Sequence, residues 1–411
     1  SIEYMNQTII LEPKNYKHSL KLKFQILTSF LSLFILGLID QSIGSIMQYL
    51  LADYQINRIQ ISYLFLFQFI GYIISSFANN QLSLKFGIAG VYSYALLMNG
   101  IYCFLFSLRS PFVILILTSI FNGFGVGSLD CSLNLYIGNL NYSNQILGMM
   151  HSFYGLGCFV SPVFVIYLIH QGMLWNYYFL IIGSLITINF ILVLILFKNE
   201  TPAKFQYVMS SMNDGDDDED TSVLNILKNK SVQFFATSLF LYIGSELSLG
   251  VWLFNYILKI KSLDEKKASY ITSTYWLFMT IGRFSLAFVT GHYFEDNETY
   301  AMVIYTGLVA SGCFSFMIFN QFLWIQIISI CIIGYCVGPV FSTTVVISIK
   351  NLPKHLSTAG VSIICGIGAT GAAVVPYIMG VISEKFGTDG GGLVYFPLVI
   401  FISFSGSFLM W

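Results

Sequence analysis

Leu66-Phe67-Gln68-Phe69-Ile70-Gly71 returns 211 residues later as Leu277-Phe278-Met279-Thr280-Ile281-Gly282, with Leu, Phe, Ile and Gly in the same places. The same displacement carries Gly123, Val126 and Gly127 onto Gly334, Val337 and Gly338, and Gly155 and Gly157 onto Gly366 and Gly368. Asp40 and Gly44 return as Glu246 and Gly250 after 206 residues and Asp53 as Asp264 after 211, so a five-residue length change falls between them. Chance likeness among apolar helices yields one such match, hardly four in order. The chain reads as an internal duplication.

The repeated segments lie in long apolar stretches. Of 411 residues 56% are hydrophobic and 9% charged, whereas a soluble domain carries about a quarter of its residues as Asp, Glu, Lys and Arg. A bilayer-crossing helix needs about 20 mostly apolar residues. Such windows fall near 24–51, 59–78, 88–108, 112–139, 145–169 and 175–197, then 231–258, 268–290, 300–319, 323–349, 356–382 and 394–411. The reading is an all-α membrane protein of twelve transmembrane helices. Its parts are an N-terminal segment (1–23), a six-helix half (24–197), an acidic linker (198–230) and a second half (231–411). An even number of spans per half makes the copies parallel, related by an axis along the membrane normal.

The polar segments set the orientation. With the N-terminus inside, most Lys and Arg fall inside, although Lys259, Lys261, Lys266 and Lys267 crowd one outer loop. Both termini are then cytoplasmic. The Asn-X-Ser/Thr sites at Asn6, Asn141, Asn199, Asn229 and Asn297 all land on that inner side. Ser1 to Leu22 is polar, and Lys14, Lys17, Lys21 and Lys23 run into the first span, which is no signal-peptide pattern. The run Asp214 to Asp220 lacks the Gly and Glu spacing of a calcium loop and reads as solvated linker. A net charge of -1 with no basic face excludes nucleic-acid binding. The seven cysteines fall inside apolar spans and read as small packing residues, with no metal or disulfide set. Zinc-protease, nucleophile-elbow and phosphate-loop motifs are absent from the sequence, so no enzyme and no cofactor is expected.

A charge at the bilayer centre costs about 2.5–3.5 kcal/mol on insertion scales, so a carboxylate there is a functional candidate. Asp40, Asp130 and Glu246 qualify. Gly37, Asp40, Gln41, Gly44, Ser45 and Gln48 form one polar helical stripe. Asn122, Val126, Asp130 and Asn134 follow at four-residue steps, which points amide and carboxylate the same way. His151 is the titratable group of the fifth span. Tyr242, Glu246 and Gly250 share a face with Tyr256 beside them, and Trp252 lies on another. Such aromatics beside a carboxylate suit a sugar ring. The bland readings stay open: a carboxylate bonded to a neighbouring helix, a packing histidine, aromatics of the core. Arg283 reads as a gating ion-pair partner near an inner helix end.

Several segments resemble the fucose-galactose-glucose proton symporter branch of the major facilitator superfamily, with its sodium-dependent glucose transporter-like and fungal relatives. They are residues 37–44, 123–130 with Asn134, 151–157, 242–246 with Gly250 and Trp252, and Tyr275-Trp276 with Gly282-Arg283. The likeness spans nearly the whole chain. It implies the major facilitator fold and a secondary transporter working by alternating access, with a sugar or sugar-bearing solute as cargo. In that branch acidic residues on the first and fourth helices couple protonation to transport, and Asp40 and Asp130 stand in the matching places. Glu246 and His151 join them as proton-coupling candidates. Substrate-binding candidates are Gln41, Gln48, Asn134, Tyr154, Tyr242, Trp252, Tyr256 and Trp276; gating candidates are Lys85 and Arg283. The segment from Asn79 to Gly87 departs from the superfamily's Gly-x-x-x-Asp-x-x-Gly-Arg motif, keeping Lys85 and Gly87 but neither the Asp nor the Arg. Partners expected are a small-molecule or glycolipid substrate, H+ (or Na+) and the lipid bilayer, around a monomeric carrier. A glycolipid flippase of a vacuolar or other endomembrane, and a non-transporting sensor, are the alternatives.

Overall fold

Inside a bilayer every backbone N–H and C=O must be satisfied within the chain, which leaves helices for a sequence of this pattern. The computed structural model describes residues 2–4, 7–213, 223–294, 297–352, 354–386 and 388–411. A short hairpin, β1 (Ile2–Tyr4) and β2 (Gln7–Ile9), precedes the helices α1 (Leu20–Tyr54), α2 (Arg58–Ser107), α3 (Phe112–Gly138), α4 (Ser143–His170) and α5 (Asn176–Leu196). Two short helices, α6 (Pro202–Asn213) and α7 (Val223–Lys228), occupy part of the linker. Then follow α8 (Lys230–Lys259), α9 (Glu265–Tyr293), α10 (Glu298–Ile318), α11 (Leu323–Val337), α12 (Val340–Asn351), α13 (Lys354–Lys385) and α14 (Phe396–Met410).

Eleven helical segments among the described residues are long and apolar enough to cross a membrane. They match the expected spans except the eighth, α9, whose Thr272, Ser273, Thr274, Thr280, Ser285 and Arg283 dilute its apolar character. Those hydroxyls are satisfied within the chain: Thr272, Thr274, Thr280 and Ser285 each donate to the carbonyl four residues back, and Ser273 donates to the Phe159 carbonyl of α4 at 2.6 Å. The exterior is apolar, as lipid requires. On α5, Leu180, Ile188, Ile191, Leu194 and Ile195 are exposed, while Ile182, Ile186, Asn189 and Val193 are buried.

Two boundaries differ from the sequence reading. Spans two and three are joined in one helical run, and Gly87 alone breaks it with φ of 69°. A side chain there would also strike the Glu200 carbonyl, 2.5 Å from an added Cβ. The tenth span is divided into α11 and α12 at Gly338 and Pro339, where proline removes a helical N–H. The linker carries the short helices α6 and α7, and its acidic run, Asp214 to Asp220, read as solvated linker, lies outside the described residues.

One repeated pair of glycines does the same work in both copies. An added Cβ on Gly71 of α2 would lie 1.9 Å from the Ile120 carbonyl of α3, and one on Gly282 of α9 would lie 1.9 Å from the Tyr335 carbonyl of α11. Close helix contact through small residues is the membrane's usual packing device. The chain divides into two compact units: Ser1–Ile39 with Phe67–Gly157 and Met173–Asp218, and Asp40–Leu66 with Cys158–Gly172 and Glu219–Trp411.

Candidate functional site

In the first unit α3 supplies the row expected from its four-residue spacing. Asn134 Nδ2 donates to Asp130 Oδ1 at 2.8 Å, one turn away on the same helix. His151 Nε2 on α4 lies 3.2 Å from Asn134 Oδ1. The Tyr72 hydroxyl of α2 donates to Asp130 Oδ2 at 3.0 Å. Asp130 and His151 are half-buried. Tyr154 is half-buried three residues beyond His151. Three candidates from two helices thus form one chain of hydrogen bonds, with Tyr72 as a member that sequence reasoning did not select.

In the second unit Glu246 of α8 is 6% exposed, and Arg283 Nη2 of α9 donates to its Oε1 at 3.1 Å. The Tyr275 hydroxyl donates to the Glu246 backbone carbonyl at 3.3 Å. The polar stripe of α1 beyond Asp40 also belongs to this unit. Trp276 Nε1 donates to Gln41 Oε1 at 3.1 Å, Gln48 Nε2 to Asn255 Oδ1 at 2.9 Å, and Asn255 Nδ2 to the Gly44 carbonyl at 2.9 Å. Gly44 permits the approach, because an added Cβ would stand 2.5 Å from the Val251 carbonyl. The buried Nε2 of Gln41 has no hydrogen-bond partner among the described residues. Asp40 is half-buried.

Three aromatic candidates have their polar tips committed to the protein. Trp252 donates to the Pro376 carbonyl at 3.1 Å, Tyr242 to the Val337 carbonyl at 3.1 Å, and Tyr256 accepts from Gln326 at 3.1 Å. All three are buried. Lys85 is exposed, its ammonium 5.4 Å from the Phe86 ring centre, beside the break at Gly87. Asn255 was legible only as one polar residue in an apolar helix, and Tyr72 carries no signal that separates it from a lipid-facing aromatic.

Comparison with known proteins agrees with this architecture. A family model described as Major Facilitator Superfamily matches residues 29–376. Bypass of stop codon protein 6 of Saccharomyces cerevisiae is 29% identical over 443 aligned positions, covering 100% of this chain and 86% of its own length. The Glucose/mannose transporter GlcP of Bacillus subtilis is 23% identical, over 84% of this chain and 85% of its own. Among solved structures, a D-xylose-proton symporter superimposes with a TM-score of 0.75 at 14% identity, covering 95% of this chain and 97% of that one. FucP in its outward conformation gives 0.61 at 15% identity, covering 94% and 97%. At such identities the structures share a fold.

Proposed function

The chain belongs to the Major Facilitator Superfamily, and from that premise we propose that it is a proton-coupled carrier of a sugar or sugar-bearing solute, working by alternating access. The observation that carries the reading is Asp130, a carboxylate within a membrane helix that accepts from the neutral donors Tyr72 and Asn134 and has no ion pair among the described residues. Such a group can take up and release a proton without first breaking a salt bridge. Asp40, in the place matching the second acidic site of the resembling branch, is the other coupling carboxyl. Relatives whose names give glucose, mannose and galactose as cargo support the choice of substrate class.

Gln41 offers an amide nitrogen for a sugar hydroxyl, and Asn134 and Gln48 offer further amides at the cost of exchanging their present bonds. Glu246 with Arg283 serves as a gating pair. We place the protein in a vacuolar or other endomembrane with both termini cytoplasmic, so that an acidic lumen drives the cycle.

The test is purified protein in liposomes under an imposed pH gradient, following entry of radiolabelled monosaccharides beside transbilayer movement of a fluorescent glycolipid. Gradient-driven sugar entry, reduced at least tenfold in Asp40→Asn and in Asp130→Asn, is the expected result. Glycolipid movement without sugar entry would reassign the cargo to a lipid-linked sugar. Entry that follows a sodium gradient at constant pH would reassign the coupling ion.

A further inference from the structure

Three helix ends converge on one carboxylate within the second compact unit. Glu265 opens α9, and the hydroxyl of Tyr49, near the end of α1, lies 2.6 Å from its Oε1 and 2.7 Å from its Oε2. His170, the last residue of α4, brings Nε2 to 3.2 Å from Oε2. The Glu265 side chain is 26% exposed and that of His170 47%, so protons from water reach the imidazole. α1 and α4 precede the linker and α9 follows it. Further along the same seam Ser273 of α9 donates to the Phe159 carbonyl of α4 at 2.6 Å.

The two groups that hold Glu265 answer acid differently. A phenol ionises only near about pH 10 and donates in the same way at every lower pH, whereas an imidazole gains its charge between about pH 8 and pH 5. Neutral, the ring offers a carboxylate at most one neutral hydrogen bond. As a cation it carries hydrogens on both nitrogens and makes a charge-assisted bond whichever of them faces the acceptor. His170 closes the last turn of α4 and Glu265 stands in the first turn of α9, the helix ends at which a cation and an anion respectively are stabilised. The other titratable or charged groups at these ends are Asp53, one turn beyond Tyr49 on α1, Tyr167, one turn before His170 on α4, and Asp264, Lys266 and Lys267 on α9. Asp264 is engaged by the Lys267 N–H at 3.2 Å and the Lys267 ammonium at 3.9 Å.

We propose that Tyr49, His170 and Glu265 form a latch that acid tightens. A proton on His170 holds the ends of α1 and α4 to the start of α9, so the carrier opens less readily at that face, which the proposed topology turns to the acidic lumen. A second tie from before the linker to after it has no such sensitivity. There the Arg58 N–H at the start of α2 donates to Glu384 Oε2 of α13 at 3.1 Å, with the guanidinium 3.8 Å from the same oxygen, and an arginine stays charged throughout. The inference rests on the proposed alternating access and adds a brake set by luminal pH.

Electron paramagnetic resonance of the full-length protein in liposomes reads the latch through the dipolar coupling between nitroxides on genetically encoded residues at the exposed positions Gln171 and Lys266. From about pH 8 to pH 5.5, where a histidine gains its charge, the ratio of near to far populations is expected to rise about three- to fivefold, the scale of a partly exposed ion pair. His170→Gln keeps a neutral amide at that place and should abolish the rise. Tyr49→Phe should lower the ratio at both ends of the range while the rise remains. Glu384→Gln and Asp130→Asn should also retain the rise, since it passes neither through the arginine tie nor through the coupling carboxyl. A rise that survives in His170→Gln, that is lost in Glu384→Gln or Asp130→Asn, or that is missing from the wild type overturns the proposal, as does a ratio that Tyr49→Phe leaves unmoved. The expected populations beside liposomes that show no gradient-driven uptake support the latch while removing proton-coupled transport from the proposed function.

Discussion

Arg283 at 3.1 Å from Glu246 answers a charge that is 6% exposed, and removing one partner of a buried pair strands the other. Arg283→Leu is expected to destabilise the protein by about 3–5 kcal/mol, read as a fall in the melting temperature of detergent-purified protein. Arg283→Leu combined with Glu246→Leu should regain most of that loss, since two apolar side chains leave no orphan charge. Glycine carries a second test at this scale. Gly282→Ala pushes a methyl to 1.9 Å from the Tyr335 carbonyl, whereas Gly291 has nothing within 4 Å of an added Cβ. Gly282→Ala should cost about 1–3 kcal/mol, and Gly291→Ala should leave melting unchanged or raise it slightly. The repeat made Gly282 readable in the sequence, because its partner Gly71 faces the same kind of contact. Asp130, Asn134 and His151 were readable from charge and four-residue spacing. Tyr72 and Asn255 were not, because the register between helices, which brings Tyr72 to Asp130 across 58 residues and Asn255 to Gly44 across 211, is written in no local pattern.

Among elements, α6 does what no apolar window signals. Its Gln206 donates to the Leu84 carbonyl at 3.1 Å, and Ala89 N–H donates to the Glu200 carbonyl just ahead of it at 3.2 Å. The segment that lacks the usual Asp and Arg of the superfamily motif is thus braced by the helix following α5. Glu200 sits in this brace with Lys204 Nζ at 2.6 Å. Burial pushes the Glu200 carboxyl above its ordinary range, and the Lys204 ammonium draws it back only in part. The folded chain then holds that proton more tightly than the unfolded chain. This contribution to stability is complete below the ordinary glutamate value of about 4.3 and is lost as pH rises through the raised one. Lys204→Met removes the compensating charge, so melting temperature should fall more steeply with rising pH above about 4.3 than in the wild type. In Glu200→Gln this part of the dependence should vanish. Span positions were legible because each needs only a run of apolar residues; the joined α2 was not, since a helix that continues through Asn79 to Phe86 rests on tertiary bracing rather than on hydropathy.

For the whole molecule, orientation meets a direct test in the proposed inner segments. Asn229 caps α8 by accepting from Ser231 N–H at 2.9 Å, and Asn199 Nδ2 donates to Glu12 at 3.1 Å. Both side chains are engaged in the fold. Protein expressed in a eukaryotic secretory pathway should show no mobility change on treatment with a glycan-removing amidase; a shift lost in Asn229→Gln or Asn199→Gln would reverse the proposed topology.

The division of the chain also has a consequence for its synthesis. α1, α2 and α4 each contribute residues to both compact units, and the second unit is completed only by residues 219–411. A ribosome adds about 5–20 residues per second, so Asp40–Leu66 waits roughly 10–40 s in the bilayer before Asn255 and Trp276 exist. Through that interval the Gly44 carbonyl lacks Asn255 and the Gln41 amide lacks Trp276. Those polar groups of the first half find these partners only once the second half has been made.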